Sequence, residues 1–378
     1  MLLFPPLADP IVILNKGIDV QWLARLMKRA HHDSKPEEMT EVQYESPVGK
    51  GENYSSSITR VEMRTISASG SRKTVSVIVK TNSIPPAAAE LMAEFQQFQG
   101  EIEEQNFVVV NRKDWQGLDH AYLVLRSLGR FHAMGKVLLE RDLILKERSG
   151  CYFLAKDSEL QKKVLEGGIY MLSQAMIHKK GSWKAGWEEM GYRLSKQIPL
   201  IGGKMQELYR CSDPVFDVLN HGDLWSSNMM FQIMEYTNFP VSVKFVDFQM
   251  PHVGSFIWDI NHYMYTSVKP SVRRAFKDDL LTAYHTSLSD NLDFFGYHGV
   301  TPTLQDVLGE FDRTLPAGFA LVASILAMAS GSASEPFRMD KLATESPEDA
   351  FDPSIFSEEK YIREICDDLT FFVKKSVV

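Results

Sequence analysis

Across residues 18–27 the apolar positions recur at helical spacing, with Asp19 placed as an N-cap, and a polar stretch holding Pro36 ends that helix. From Glu41 the period drops to two. Val42-Gln43-Tyr44, Ile58 to Met63 and Thr74 to Lys80 read as three strands, with a glycine-containing loop at 49–57 and a turn at 67–71, and together predict a small antiparallel sheet. After Pro85-Pro86, good helix formers and a stripe through Leu91, Phe95, Phe98 and Ile102 predict a helix over 87–105. Phe107 to Val110 is a short strand-like run. Asp119 can cap a helix from His120 to about Arg141, with Leu123, Leu125, Leu128, Phe131 and Leu138 inside. Beyond it, helices are expected over 158–178, 184–197 and 204–209. A hairpin follows, Met229 to Ile233 and Val241 to Phe248, turning through Tyr236-Thr237-Asn238 with Pro240 at the edge. Further helices are expected from Trp258 on, over 272–287, 303–310, 315–329 and 357–373. The fold class is α+β, with an N-terminal helical extension (1–40), a sheet-bearing lobe (41–118) and a larger helical lobe (119–378).

Composition changes this picture little. The 378 residues are 44% apolar and 24% charged, ordinary globular values and enough chain for two sizeable cores. A net charge of −8 argues against a surface built for nucleic acid. The three cysteines, Cys151, Cys211 and Cys366, lie far apart and outside any metal spacing, which fits reduced thiols in a cytoplasmic protein. The apolar N-terminus has no basic flank and meets Pro and Asp early, so it is a poor signal peptide. The run 318–333, about 16 residues, is too short to span a bilayer, so no membrane partner is expected.

The chemistry concentrates in Asn220-His221-Gly222-Asp223-Leu224-Trp225-Ser226-Ser227-Asn228, followed after the hairpin by Val246-Asp247-Phe248-Gln249. An Asp, an Asn five residues on, and a second Asp at the end of the next strand supply one carboxylate to orient a hydroxyl and two oxygen ligands for Mg²⁺. Any one of these residues alone reads as a polar capping loop; the combination points to phosphoryl transfer. His221 is expected to brace the loop, and Asp259 either to cap a helix or to accept backbone N–H groups from that loop. His132 reads as a satisfied core histidine. Lys80, closing a strand, and Glu101, on the helix that follows, match a pair that holds the α- and β-phosphates of ATP. The loop from Gly51 through Asn53 to Ser55 and Ser56 offers hydroxyls and backbone N–H groups as a phosphate flap, although it lacks a full glycine-rich signature.

Lys50 to Ser56 with Arg60-Val61, Val77 to Thr81, Leu128 to Ala133, His221 to Phe231 and Val246 to Gln249 together resemble the insect ecdysteroid kinase-like family. That family lies in the choline-kinase-like and aminoglycoside-phosphotransferase-like branch of the protein-kinase fold. The resemblance implies a bilobal fold, ATP and Mg²⁺ as cofactors, and a small-molecule alcohol as acceptor, an ecdysteroid or a xenobiotic. It also implies two further strands and an adenine-holding hinge after the glutamate helix. Here the chain runs from Gln105-Asn106 straight into Phe107 to Val110, and a few tens of residues are missing. Two alternatives to an active kinase of apolar alcohols follow. One is a catalytically impaired binding protein, because of the missing hinge. The other is a choline or ethanolamine kinase, whose cation would need aromatics such as Trp258, Tyr263 and Tyr265 gathered in one place.

Overall fold

The computed structural model describes residues 38–45, 56–66, 72–82, 102–103, 107–143, 152, 155, 159–178, 183–210, 216–234, 236–248, 250–338, 341–342 and 346–378, with side chains from 107 onward except at 159–161. The chain divides into two compact units. In the first, β1 (Glu38–Glu45), β2 (Ser56–Ile66), β3 (Arg72–Asn82) and β4 (Ile102–Glu103) form an antiparallel sheet in the order β1-β2-β3-β4. β2 and β3 pair along their whole length, from Ser56 opposite Asn82 to Ile66 opposite Arg72.

The fourth strand corrects the sequence reading. A helix was expected to reach Gln105, yet Ile102 and Glu103 are extended and pair with Ile78 and Val77. β3 would otherwise present an open edge of N–H and C=O groups, and a β-branched residue suits that ladder better than a helix end. Residues 87–101, 104 and 105, the rest of that expected helix, lie outside the described residues, as does the expected helix at 18–27. Phe107 to Val110 adds nothing to this sheet. β5 (Phe107–Val108) pairs instead with β7 in the second unit.

The second unit carries β5, α1 (Leu118–Glu140), α2 (Glu159–Ile177), α3 (Glu188–Arg210), β6 (Asp217–Asn220), β7 (Met229–Ile233), β8 (Pro240–Phe245), β9 (His252–Ser255), α4 (Ile257–Thr266), α5 (Pro270–Phe294), α6 (Leu304–Arg313), α7 (Leu315–Ala320), α8 (Leu326–Ser330), α9 (Pro347–Ala350) and α10 (Glu359–Lys374). Its sheets are small: β5-β7-β8 and β6-β9. The hairpin turn bonds Thr237 and Asn238 N–H to the Met234 carbonyl, and Asn238 takes a left-handed φ of 53° that its short side chain tolerates.

Three helices depart from expectation. α1 starts on Gly117 as N-cap, with Asp119 in its first turn, where a carboxylate faces the positive end of the helix. α3 is one helix through Pro199 rather than two. Its stripe of Leu194, Ile201, Gly202 and Met205, packed along α2, offsets the lost N–H and ring clash, a cost of about 3 kcal/mol. α7 and α8 are joined by a single π-helical stretch, Leu321–Ile325, whose Val322 carbonyl accepts from the Tyr361 hydroxyl at 3.2 Å.

α1 lies along α5, and Gly129 sets how closely. A Cβ there would stand 2.7 Å from the Tyr284 carbonyl oxygen and 2.8 Å from the Leu288 nitrogen, so only glycine allows this approach. The contact delivers His132, one turn further along α1, to the Tyr284 hydroxyl. Among the described residues no single helix is long and apolar enough to cross a membrane.

Candidate functional site

The polar loop leaves β6, which is held antiparallel to β9 with Asn220 opposite His252. Gly222 makes the turn. Its φ is +85°, and a Cβ would fall 1.9 Å from the Met250 carbonyl oxygen, so no other residue fits. Beneath the turn sits the wholly buried Asp259 of α4. Its Oδ2 accepts the His221 N–H at 2.6 Å and its Oδ1 the Gly222 N–H at 2.8 Å. His132 adds its Nε2 to Oδ2 at 3.1 Å, and since a carboxylate only accepts, that nitrogen carries a proton; its Nδ1 lies 2.8 Å from the Tyr284 hydroxyl. Burial would raise the Asp259 carboxyl, but the His132 hydrogen bond, the neighbouring imidazoles and the Gly222 N–H more than offset this and hold it at about 2. Of the two roles open to Asp259, the one observed is acceptor for the backbone N–H groups of the 220–228 loop.

His221 braces the loop, as expected. Its Nε2 meets the Val246 carbonyl at 2.8 Å and must be the donor there, which leaves Nδ1 to accept the Asp223 N–H at 3.3 Å. The ring also packs 4.5 Å from that of Phe248. One imidazole thus ties the loop to the strand end that carries Asp247.

Asn228 ends a short 3₁₀ turn, Ser226–Asn228, and donates its amide to both the carbonyl of Asp223 (2.8 Å) and Asp223 Oδ2 (2.9 Å). Two acceptors on one side fix which end of the amide faces them, so Oδ1 is turned away from Asp223. The Asn228 carbonyl in turn accepts the Val246 N–H at 3.0 Å, which extends the β7–β8 pairing to within one residue of Asp247. There the backbone leaves the strand abruptly. Asp247 takes φ +69°, a left-handed conformation costing a non-glycine residue about 1–2 kcal/mol, and such strain held at a strand end is characteristic of functional positions.

The loop and hairpin therefore bring Asp223 and Asn228 into contact and tie both to the strand end before Asp247. Asn228 Oδ1 and the Asp247 carboxylate are hard oxygen donors of the kind Mg²⁺ takes, and that ion needs only one or two protein ligands when phosphates and water fill the rest. Among the described residues no group of three or more His, Cys, Asp and Glu is arranged to hold a metal. Lys80 lies in β3 opposite Ile58, and Ser56 opens β2 opposite Asn82. Gly51, Asn53, Ser55 and Glu101 lie outside the described residues.

Two residues of the site had drawn no attention in the sequence. His262 Nε2 lies 3.5 Å from Asp223 Oδ1, and its Nδ1 is 3.0 Å from the Tyr152 hydroxyl. The spacing Asp259-x-x-His262 is the available signal, because residues three apart share a helix face. Burial lowers both His262 and the nearby His252 to about 4, with Asp259 partly opposing, so both imidazoles are neutral at pH 7. The three aromatics considered for a cation cage are committed elsewhere: Trp258 stacks on Tyr152, the Tyr263 hydroxyl bonds Gln116, and Tyr265 stacks on Phe311 beneath Arg273.

An antiparallel-sheet unit followed by a larger helical unit, the latter carrying an Asp–Asn loop and a strand-end Asp, is the build of a kinase-like protein. A sequence model of the ecdysteroid kinase-like family matches residues 50–103 and 101–297, well over half of the chain, and the chain belongs to that family. Among curated proteins none matches it.

Proposed function

We propose that the protein transfers the γ-phosphoryl group of ATP to the hydroxyl of a small apolar alcohol, an ecdysteroid-like molecule or a xenobiotic. The Asp223–Asn228 contact carries this reading: one carboxylate held in place beside one amide oxygen turned outward. Asp223 accepts the proton of the acceptor hydroxyl as its oxygen attacks the γ-phosphorus and ADP departs. Asn228 Oδ1 and the Asp247 carboxylate would hold Mg²⁺, which neutralises phosphate charge in the transition state. Lys80, paired with Glu101, would position the α- and β-phosphates, with the loop of Gly51, Asn53, Ser55 and Ser56 over them. The commitment of Trp258 to Tyr152, of the Tyr263 hydroxyl to Gln116 and of Tyr265 to Phe311 favours an uncharged acceptor over choline or ethanolamine, whose cation would need those rings gathered around it.

A second reading, a binding protein with impaired catalysis, is favoured by one observation. Between β4 and β5 there are only three residues, 104–106, too few for two strands and a hinge, and the family match breaks at 101–103, next to that junction. A phosphorylation screen distinguishes the two: purified protein, MgATP labelled at the γ-phosphate, and a panel of ecdysteroids, plant alcohols and choline. Label appearing in an apolar alcohol supports the kinase; MgATP binding without transfer to any acceptor supports the impaired form.

A further inference from the structure

We propose that His262 is a positioning residue for Asp223, donating its Nε2–H toward Oδ1 and being held in turn by the Tyr152 hydroxyl. This rests on the phosphotransferase reading above. One face of α4 addresses three consecutive loop residues. Asp259 accepts the N–H groups of His221 and Gly222, and His262, three residues on, reaches the side chain of the next residue, Asp223. An ionised Asp223 can only accept, so Nε2 carries the hydrogen, and Nδ1, left with a lone pair, accepts from Tyr152 at 3.0 Å. The chain runs Tyr152 O–H to His262 and His262 N–H toward Asp223, and no proton is transferred along it.

The carboxylate is then restrained at both oxygens. Asn228 donates to Oδ2 at 2.9 Å and His262 lies 3.5 Å from Oδ1. The Asn228 bond and the His262 contact bear on opposite oxygens and so limit rotation about the Cβ–Cγ bond. His262 is 3% exposed and Asp223 19%, so the restraint comes from the packed interior while the carboxylate remains open to solvent on its other side. Because burial keeps the imidazole neutral, it orients the base without weakening it as a cation would.

The test compares wild type with His262→Leu, His262→Gln and Tyr152→Phe in steady-state phosphoryl transfer, each variant also being melted thermally. A misplaced base costs up to about 100-fold in rate. His262→Leu is expected to lower kcat by about 10–100-fold with the KM for ATP nearly unchanged. Glutamine, whose Nε2 can replace the imidazole donor, should recover most of that loss, and Tyr152→Phe should fall between. Unchanged kcat in His262→Leu, a loss confined to KM, or equal loss in the Leu and Gln variants at matched melting temperature overturns the proposal. If wild type transfers phosphate to nothing, the phosphotransferase reading fails by itself, and imidazole nitrogen shifts decide the contact. An Nε2-protonated His262 whose signal moves in Asp223→Asn supports it; one indifferent to that change overturns it.

Discussion

On the proposed function Asp223 differs in role from Asn228 and Asp247, and single substitutions separate them. Asp223→Asn removes the proton acceptor and keeps the shape, so kcat should fall about 10²–10⁴-fold while the melting temperature moves little; steady-state kinetics beside a thermal melt checks this. Asp247→Ala and Asn228→Ala should each abolish the Mg²⁺-dependent part of the stabilisation by ATP, read as a thermal shift with and without the metal. Alanine tolerates φ +69° less well than aspartate, so some loss of stability should accompany Asp247→Ala. Gly222 answers to geometry alone. With φ +85° and a Cβ meeting the Met250 oxygen at 1.9 Å, Gly222→Ala should destabilise the fold by about 2–4 kcal/mol in urea denaturation.

At the scale of elements, the loop and hairpin were legible in the sequence because their chemistry is local. Asp223, Asn228 and Asp247 sit on one loop and one hairpin, and the period-two runs of β7 and β8 are short and clean. β8 stops at Phe245 rather than Phe248, because the Val246 C=O is taken by His221 and Asp247, at φ +69°, leaves the ladder. What the sequence could not show is long-range. The contact of His262 with Asp223 joins residues that no local pattern links, and Tyr152 reaches His262 from more than a hundred positions away. Local propensity also misled where tertiary partners outweighed it: Ile102 serves the open edge of β3, and Pro199 rides within α3 on the strength of its buried stripe. His132 was readable as a core histidine, but its service to Asp259 depends on the α1–α5 approach at Gly129.

The whole molecule should be sensitive to acid. His252 and His262 are held to about 4 by burial, against 6.5 when unburied. Between those values the unfolded chain takes up protons that the folded chain does not, so their contribution to stability is full above pH 6.5 and is lost as pH falls toward 4. Each accounts for about 3 kcal/mol across that window, on the order of 1.4 kcal/mol per pH unit. Asp259, held at about 2 against 3.8, adds a further loss only below that range. Melting temperatures should hold nearly level from pH 7.5 to about 6.5 and fall from there to pH 4, and His252→Gln should flatten part of that slope.

Family membership and the intact Asp223–Asn228 pair favour catalysis, while the three-residue link between β4 and β5 bears on how nucleotide is held. Incubation of the wild-type chain with MgATP labelled at the γ-phosphate and a panel of apolar alcohols tests the central claim most directly. The account predicts transfer of label to a hydroxylated apolar molecule, dependent on Mg²⁺ and abolished in Asp223→Asn. No transfer to any acceptor, or transfer that survives Asp223→Asn, contradicts it.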